Sequence, residues 1–151
     1  MGIQSTKKEK EETMKRVLTI VTTIVLALGA FAEPSDKLIN ALVKVESNGN
    51  SAAIGDGGKA VGVLQIHQGV VDDVNRICKT TYTYADRKDA KKSREMCRKF
   101  LTHWGRHYQK KTGKVATDEV LARIWNGGPS GWKKSATNGY WNKVKKALGS
   151  K

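Results

Sequence analysis

The sequence predicts an α+β domain that is predominantly α, with one small β-hairpin between its first two helices. Three observations support this fold class. Apolar residues recur every three to four positions in five segments, a single glycine-rich segment breaks that pattern, and no internal repeat appears. The chain of 151 residues has the length of one ordinary domain, and no shift in composition divides it.

The first helix is predicted from Ser35 to about Glu46. Ser35 has the residue type of an N-cap, and Asn48-Gly49-Asn50 tolerates the left-handed backbone that ends helices. From 52 to 66 the pattern changes to short apolar segments around Gly55-Asp56-Gly57-Gly58, which predicts a small irregular hairpin. The buried stripe of the first helix consists of Leu38, Ile39, Leu42 and Val43.

Four further helices are predicted from apolar spacing and from capping residues. Asp72 and Asp73 are expected at the start of the second, and the third is expected after the charged stretch Asp86 to Arg94. Thr117 is expected to cap the fourth, and Gly127-Gly128-Pro129 to end it. Their apolar residues are, in order, Val70, Val71, Val74 and Ile77; Cys97, Leu101, Trp104 and Tyr108; Val120, Leu121 and Ile124; and Tyr140, Val144 and Leu148.

Residues 1–32 are predicted to be a secretory signal with an upstream extension. Lys15 and Arg16 precede an apolar run over 17–31, and the small residues of Ala30-Phe31-Ala32 suit a cleavage site. Because the run is shorter than the roughly 20 residues of a spanning helix, removal is favoured over retention as a membrane anchor. Because Met14 directly precedes Lys15, either Met1 or Met14 could be the first residue of the translated protein. The remaining domain, 33–151, is expected in the periplasm or outside the cell, without stable membrane insertion.

The net charge of +14 predicts a polyanionic partner. Nucleic acid, anionic membrane and bacterial wall polymers all carry suitable charge, and charge alone does not choose among them. An export signal argues against nucleic acid, and no nucleic-acid recognition motif is present. We therefore expect no nucleic-acid partner.

Two cysteines, Cys78 and Cys97, are expected to form a disulfide, because an exported chain reaches a compartment where such bonds persist. The alternative is a metal site that adds His103 and His107, which are spaced to share a helix face. The cysteines lack the close C-x-x-C pairing of common zinc modules. We expect no metal.

Glu46 is the leading candidate for chemistry. It continues the apolar stripe of the first helix, eight residues after Leu38 and four after Leu42, so its carboxyl is aimed toward the core. Partial burial and the negative end of the helix dipole both raise the pKa of a carboxyl placed there. A carboxyl that stays protonated near neutral pH suits proton donation to a glycosidic oxygen. The alternative is an ordinary helix-terminal glutamate whose head reaches water.

Three ordered motifs resemble the signature of the lytic transglycosylases and goose-type lysozymes. They are Val45-Glu46-Ser47, then Gly62-Val63-Leu64-Gln65-Ile66, then Trp125-Asn126-Gly127-Gly128-Pro129. In that family the parts read Glu-Ser, Gly-Leu-Met-Gln and an aromatic-Asn-Gly-Gly or Ala-Tyr-Asn-Ala variant. The resemblance covers roughly 35 to 148 and implies a lysozyme-like fold with the hairpin beside a catalytic cleft.

The resemblance implies a role for each matched residue. Glu46 would be the acid/base, Ser47 would orient its carboxyl or the N-acetyl group of a sugar, and Gln65 would line the floor of the cleft. Asn126 would lie near the reacting sugar. Trp125 stands where many relatives have tyrosine and offers a stacking face without a phenolic hydroxyl, although a place in the core is an equal alternative.

Aromatic residues before the third helix are further candidates. Tyr84, in the stretch Thr81-Tyr82-Thr83-Tyr84, is a candidate for stacking on a sugar. His67 closely follows Gln65, but we expect it to cap the second helix. Trp132 and Trp141 are assigned to packing.

The reaction has two expected forms. The resemblance favours a lytic transglycosylase, in which Glu46 alone cleaves the bond after N-acetylmuramic acid to give a 1,6-anhydro product without a cofactor. A hydrolase ordinarily needs a second carboxylate, for which Asp56 is the best candidate. A third reading is a non-catalytic cationic protein that binds the wall. In the enzymatic readings the partner is the glycan strand of peptidoglycan, and the protein is expected to be a monomer.

Overall fold

The computed structural model describes residues 9–16 and 33–149. Residues 9–16 form an exposed helical segment. The apolar run and the cleavage site of the predicted signal lie outside the described residues. Neither described range contains a helix that is long and apolar enough to cross a membrane.

Residues 33–149 form five α-helices and one two-stranded antiparallel sheet, which confirms the predominantly α fold class. Short 3₁₀ turns connect them at Asp56–Gly58, Tyr84–Lys88, Gly131–Lys133 and Ser135–Thr137. In chain order the elements are α1 (Asp36–Ser47), β1 (Ile54–Gly55), β2 (Ala60–Val61), α2 (Gln68–Cys78), α3 (Ala90–Thr112), α4 (Asp118–Gly127) and α5 (Asn138–Gly149).

The capping residues act as the sequence predicts. The Ser35 hydroxyl accepts a hydrogen bond from the Leu38 amide at 3.1 Å, and Asn48 ends α1 in the left-handed conformation with φ 53°. The Thr117 hydroxyl accepts from the Val120 amide at the start of α4. These local hydrogen bonds satisfy backbone groups that a helix end leaves without a partner.

Two helix starts differ from the prediction. α3 begins at Ala90, inside the charged stretch, because Asp89 caps it by accepting from the amides of Lys91 and Lys92. Apolar spacing detects only the buried part of a helix, so its solvent-facing first turn was missed. α2 begins at Gln68, which places Asp72 and Asp73 in the interior of the helix instead of at its start.

One continuous core holds the helices together. Helices α1 and α5 pack against each other, and α3 contacts α1 and contributes the buried Phe100 and Leu101. Leu38 and Leu42 of α1 are fully buried. Because Glu46 continues the stripe of these two leucines, this packing carries its side chain to the edge of the core and toward α5.

The hairpin is short and is held by neighbouring loops. Ile54 pairs with Val61 and Gly55 with Ala60, and an isolated bridge joins Val61 to Ile66. Gly62 has a φ of 80°, and a Cβ atom added there would lie 1.8 Å from the carbonyl oxygen of Arg87. The hairpin therefore packs directly on the backbone of the turn Tyr84–Lys88.

Replacing Gly62 with alanine is expected to lower the free energy of unfolding by at least about 2 kcal/mol, because it adds a backbone clash to an unfavourable φ. Urea unfolding measures the loss. Gly113→Ala is the matched control, since Gly113 has a similar φ of 72° but open space around it. Equal losses in the two proteins would contradict the close-packing argument.

The expected disulfide is not formed, because Cys78 and Cys97 are both free thiols. Cys97 is fully buried in α3 and interacts electrostatically with Glu46, whereas Cys78 lies beside Arg98, Lys99 and Thr102. The two thiols thus lie at different faces of α3. Between residues 33 and 149 no group of three or more His, Cys, Asp or Glu side chains is placed to hold a metal ion.

Candidate active site

An open cleft with a volume of about 540 Å³ lies between the hairpin, the start of α2 and the end of α4. The structure brings five of the sequence-predicted residues together in its walls. They come from elements separated by up to eighty positions of sequence. The lining residues are Glu46, Asp56, Ala60, Gln65, Ile66, His67, Val70, Phe100, Trp125, Asn126 and Gly128.

Glu46 lies half-buried in the last turn of α1, and its carboxylate oxygen Oε1 accepts a hydrogen bond of 2.6 Å from the Tyr140 hydroxyl. Burial raises the pKa of Glu46 above its ordinary value, as the sequence predicts. Hydrogen bonds from Tyr140 and Trp125, together with the charge of Lys143, lower that pKa without cancelling the effect of burial. Glu46 therefore holds its proton more tightly than an exposed glutamate does.

Tyr140 was missed as a site residue. It lies in α5, 94 positions from Glu46, and burial together with the Glu46 carboxylate raises the pKa of its phenol. The phenol therefore keeps its proton and donates a hydrogen bond to Oε1 of Glu46. The available signal was a tyrosine on the buried stripe of the last helix, since a buried hydroxyl needs a partner. The sequence did not indicate which partner.

Trp125 belongs to both the cleft and the core. Its ring lines the cleft, and it packs edge-on against Phe100 with ring centroids 5.8 Å apart. It also contributes a hydrogen bond that lowers the pKa of Glu46. Trp125 therefore lines the cleft and packs against the core, and its stacking on a sugar stays a prediction.

Gln65 borders the cleft with a strained backbone, at φ 48°. Its side-chain nitrogen Nε2 donates to the carbonyl oxygens of Ala53 at 3.2 Å and Gly62 at 3.0 Å. Both amide protons are therefore used to hold the hairpin. Only the acceptor Oε1 remains to meet a ligand.

Asp56 and His67 face each other across one end of the cleft, with Asp56 Oδ2 3.4 Å from His67 Nε2. Both side chains are at least half exposed. His67 occupies the N-cap position of α2, as the sequence predicts, but its side chain makes no capping hydrogen bond. Its imidazole faces the hairpin instead.

Two predicted residues lie outside the cleft lining. The Ser47 hydroxyl donates to the carbonyl oxygen of Val63 at 2.8 Å, which joins α1 to the hairpin. Tyr84 is exposed, and its hydroxyl donates to Asp72 at 3.0 Å. Asn126, by contrast, borders the cleft as expected and is exposed. Contact of these three residues with substrate stays a prediction.

Two solved structures resemble this chain. One is a chain of the crystal structure of Aeromonas hydrophila PliI in complex with Meretrix lusoria lysozyme, with a TM-score of 0.65 and 25% identity over 80% of this chain and 96% of that one. The other is the Tapes japonica lysozyme, with a TM-score of 0.64 and 27% identity over 78% of this chain and 93% of that one. The expected lysozyme-like fold is confirmed.

A short stretch also matches a curated protein. Invertebrate-type lysozyme 6 of Caenorhabditis elegans is 67% identical over 27 residues, which is 18% of this chain and 20% of that protein. The chain thus spans about a fifth of the length of this relative.

The chain thus has a lysozyme-like fold, and its open cleft holds a carboxyl whose pKa is raised by burial. The sequence model of the transglycosylase SLT domain matches residues 32–148. The chain belongs to that family, which confirms the resemblance seen in the three motifs.

Proposed function

We propose that the protein is a lytic transglycosylase that cleaves the β-1,4 bond between N-acetylmuramic acid and N-acetylglucosamine. The observation that carries this proposal is the half-buried position of Glu46 in the cleft. It is the carboxyl of the cleft whose pKa is raised by burial, and Tyr140 fixes its orientation. One residue of this kind suffices for a reaction in which the same group acts first as acid and then as base.

The first step transfers a proton from the carboxyl of Glu46 to the glycosidic oxygen, and the bond from that oxygen to C1 of N-acetylmuramic acid breaks. The second step returns a proton to Glu46 from the C6 hydroxyl of the same sugar, whose oxygen forms a new bond to C1. The product is a 1,6-anhydro sugar, and no water is consumed. Because the attacking hydroxyl belongs to the substrate, no second molecule has to be ordered.

The cleft walls suit a sugar with acetamido groups. Trp125 offers an aromatic face beside Glu46, and the free acceptor Oε1 of Gln65 suits a sugar hydroxyl or an acetamido N–H. After proton transfer, the hydrogen bond from Tyr140 stabilises the carboxylate of Glu46 until it recovers its proton.

A lysozyme-type hydrolase is the second candidate, because Asp56 lines the same cleft as Glu46. The names of the similar proteins also favour it, since they are lysozymes. In this reaction Asp56 would act as the second carboxylate and water would replace the C6 hydroxyl. Asp56 is 64% exposed, and its Oδ2 lies 3.4 Å from Nε2 of His67.

Mass spectrometry of the fragments released from purified peptidoglycan separates the two reactions. We expect anhydro-muramic ends, and we expect Asp56→Asn to keep that product with less than about a tenfold loss of rate, because Asp56 takes no proton in the transglycosylase scheme. Reducing ends, lost in the Asp56→Asn protein by a factor of about 10² or more, would identify the hydrolase. The absence of fragments on several wall types would favour a non-catalytic wall-binding protein.

The cellular setting belongs to the same proposal. Glycan strands lie outside the cytoplasmic membrane, which agrees with a secretory signal over residues 1–32 and a mature domain over 33–151. Residues 33–151 carry 23 basic and 11 acidic side chains, and this net charge of +12 would hold the protein to anionic wall material. We propose an exported monomer that needs no metal or cofactor.

A further inference from the structure

A second cavity of about 440 Å³ adjoins the catalytic cleft. His67 lines both cavities, and the hairpin turn passes from Asp56 in the first to Gly57 in the second. The Asp56–His67 pair thus marks the border between them. We call the second cavity the basic pocket, and its lining residues are Gly57, Gly58, Lys59, His67, Gln68, Gly69 and Arg87.

The basic pocket contains a buried positive charge without an acidic partner. Arg87 is only 8% exposed, and its guanidinium donates to the carbonyl oxygens of Tyr84, Lys59 and Ile66 at 2.8 to 3.1 Å. Within residues 33–149 no carboxylate lies at ion-pair distance from it. Buried charges in proteins are ordinarily paired, because desolvating a lone ion is costly. Carbonyl dipoles stabilise this cation, but its charge is still available to an anion in the pocket.

Backbone packing holds Arg87 in place. Its carbonyl oxygen accepts a hydrogen bond of 2.7 Å from the buried Ser93 hydroxyl and lies against Gly62 of the hairpin. The turn that carries Arg87 is closed at its start by a capping box between Thr83 and Asp86. The guanidinium is therefore a preorganised charge and not a mobile surface side chain.

The other walls also favour an anion. Lys59 adds a second cation, and the pocket includes the first turn of α2, where backbone N–H groups lack acceptors within the helix. A Cβ atom added at Gly57, Gly58 or Gly69 would meet nothing within 4 Å, so the pocket is open at these positions. None of the residues that line the basic pocket is acidic, and Asp56 at its border faces His67.

We propose that the basic pocket binds a carboxylate carried by the substituent of a muramic acid unit that occupies the catalytic cleft. This inference rests on the proposed function, because the cleft must hold a glycan strand. A muramic acid unit differs from N-acetylglucosamine by a lactyl group at O3. That group ends in a carboxylate when it is bare, and when it is extended it leads to a peptide with free carboxylates. The pocket therefore distinguishes wall glycan from neutral chitin-like glycan.

The test measures binding by calorimetry in the Glu46→Gln protein, which keeps the cleft but does not consume the ligand. The probes are chitotetraose, the tetrasaccharide of alternating N-acetylglucosamine and N-acetylmuramic acid with bare lactyl groups, and the same tetrasaccharide with peptides attached. We expect at least one of the two acidic probes to bind about tenfold more tightly than chitotetraose. Whichever acidic probe binds more tightly identifies the source of the carboxylate.

Two variants at one position test whether the preference for acidic tetrasaccharides arises in the basic pocket. Gly69→Asp places a competing carboxylate there and suits the first turn of a helix, whereas Gly69→Asn has the same shape without charge. The ratio of acidic to neutral affinity is expected to fall about tenfold in the aspartate protein relative to the asparagine protein. Lys114→Gln changes the net charge equally at an exposed loop position and should keep the ratio within twofold.

Two results would overturn the proposal. Equal affinity for acidic and neutral tetrasaccharides would exclude the carboxylate pocket while leaving the proposed glycosidase intact. If the ratio of acidic to neutral affinity were equal in the Gly69→Asp and Gly69→Asn proteins, any preference for acidic probes would come from the overall charge of the protein and not from the basic pocket. Failure to bind any tetrasaccharide would contradict the proposed function as well.

Discussion

The Glu46→Gln protein is expected to release fragments from peptidoglycan at least about a thousandfold more slowly than the unmodified protein. Glutamine keeps the shape of the side chain and still accepts the hydrogen bond from Tyr140, but it has no proton to give and takes none back. Because both steps of the proposed reaction pass through this carboxyl, the loss should fall on kcat. Turnover of purified peptidoglycan strands measures it.

Glu95→Gln is the matched control, since Glu95 is exposed, lies outside the cleft lining and accepts a hydrogen bond from Tyr82. Its rate should stay within twofold of the unmodified protein. A Glu46→Gln protein that keeps a tenth or more of the rate would contradict the assignment of Glu46 as acid and base.

The raised pKa of Glu46 predicts how activity and stability depend on pH. Activity requires the protonated carboxyl, so kcat/KM should fall as the pH rises through that raised pKa. The folded state holds the proton more tightly than the unfolded state does, so ionisation at higher pH destabilises the fold. Glu46→Gln should therefore be more stable than the unmodified protein at neutral pH, and this difference should shrink as the pH falls to the ordinary pKa of a glutamate. Urea unfolding at several pH values measures it.

Replacing Tyr140 with phenylalanine is expected to lower kcat by about ten- to a hundredfold while preserving the fold. The change removes only the hydroxyl that donates to Oε1 of Glu46 at 2.6 Å. Because that hydrogen bond lowers the pKa of Glu46, its loss should move the alkaline limb of the pH profile to higher pH. Tyr140 is thus a positioning residue, and the shifted profile distinguishes this role from simple loss of packing.

Tyr82→Phe removes a similar hydroxyl, which donates to Glu95 at 3.1 Å outside the cleft lining. It should leave both the rate and the pH profile unchanged. If Tyr140→Phe lowered the rate without moving the profile, the hydrogen bond would not control the protonation of Glu46.

Local features of the sequence predicted the helices well, because capping and periodicity act over a few residues. Ser35, Asn48 and Thr117 end or begin helices where the sequence indicates, each through a hydrogen bond or backbone conformation of its own. The start of α3 was misplaced because its first turn faces solvent and carries no apolar stripe. The position of Glu46 at the edge of the core followed from its spacing to Leu38 and Leu42.

The disulfide prediction was wrong for a reason that spacing does not reveal. Compartment and cysteine number made the bond reasonable, but its formation requires two thiols that face each other. Cys97 is fully buried in the core, whereas Cys78 lines a surface cavity with Arg98, Lys99 and Thr102. The orientation of one helix face decided the outcome.

By itself the sequence determined the helices, the hairpin, the family motifs and the placement of Glu46, since each depends on neighbours within a turn or two or on an ordered motif. Only the tertiary structure decided which groups surround Glu46. The contact with Tyr140 joins residues 94 positions apart, and the basic pocket joins a hairpin, a helix end and the turn that carries Arg87. Such contacts depend on how α1 packs against α5 and how Gly62 lies on the Arg87 backbone. Burial then raises the pKa of one carboxyl and leaves one guanidinium without an acidic partner, and burial is a property of the packed chain.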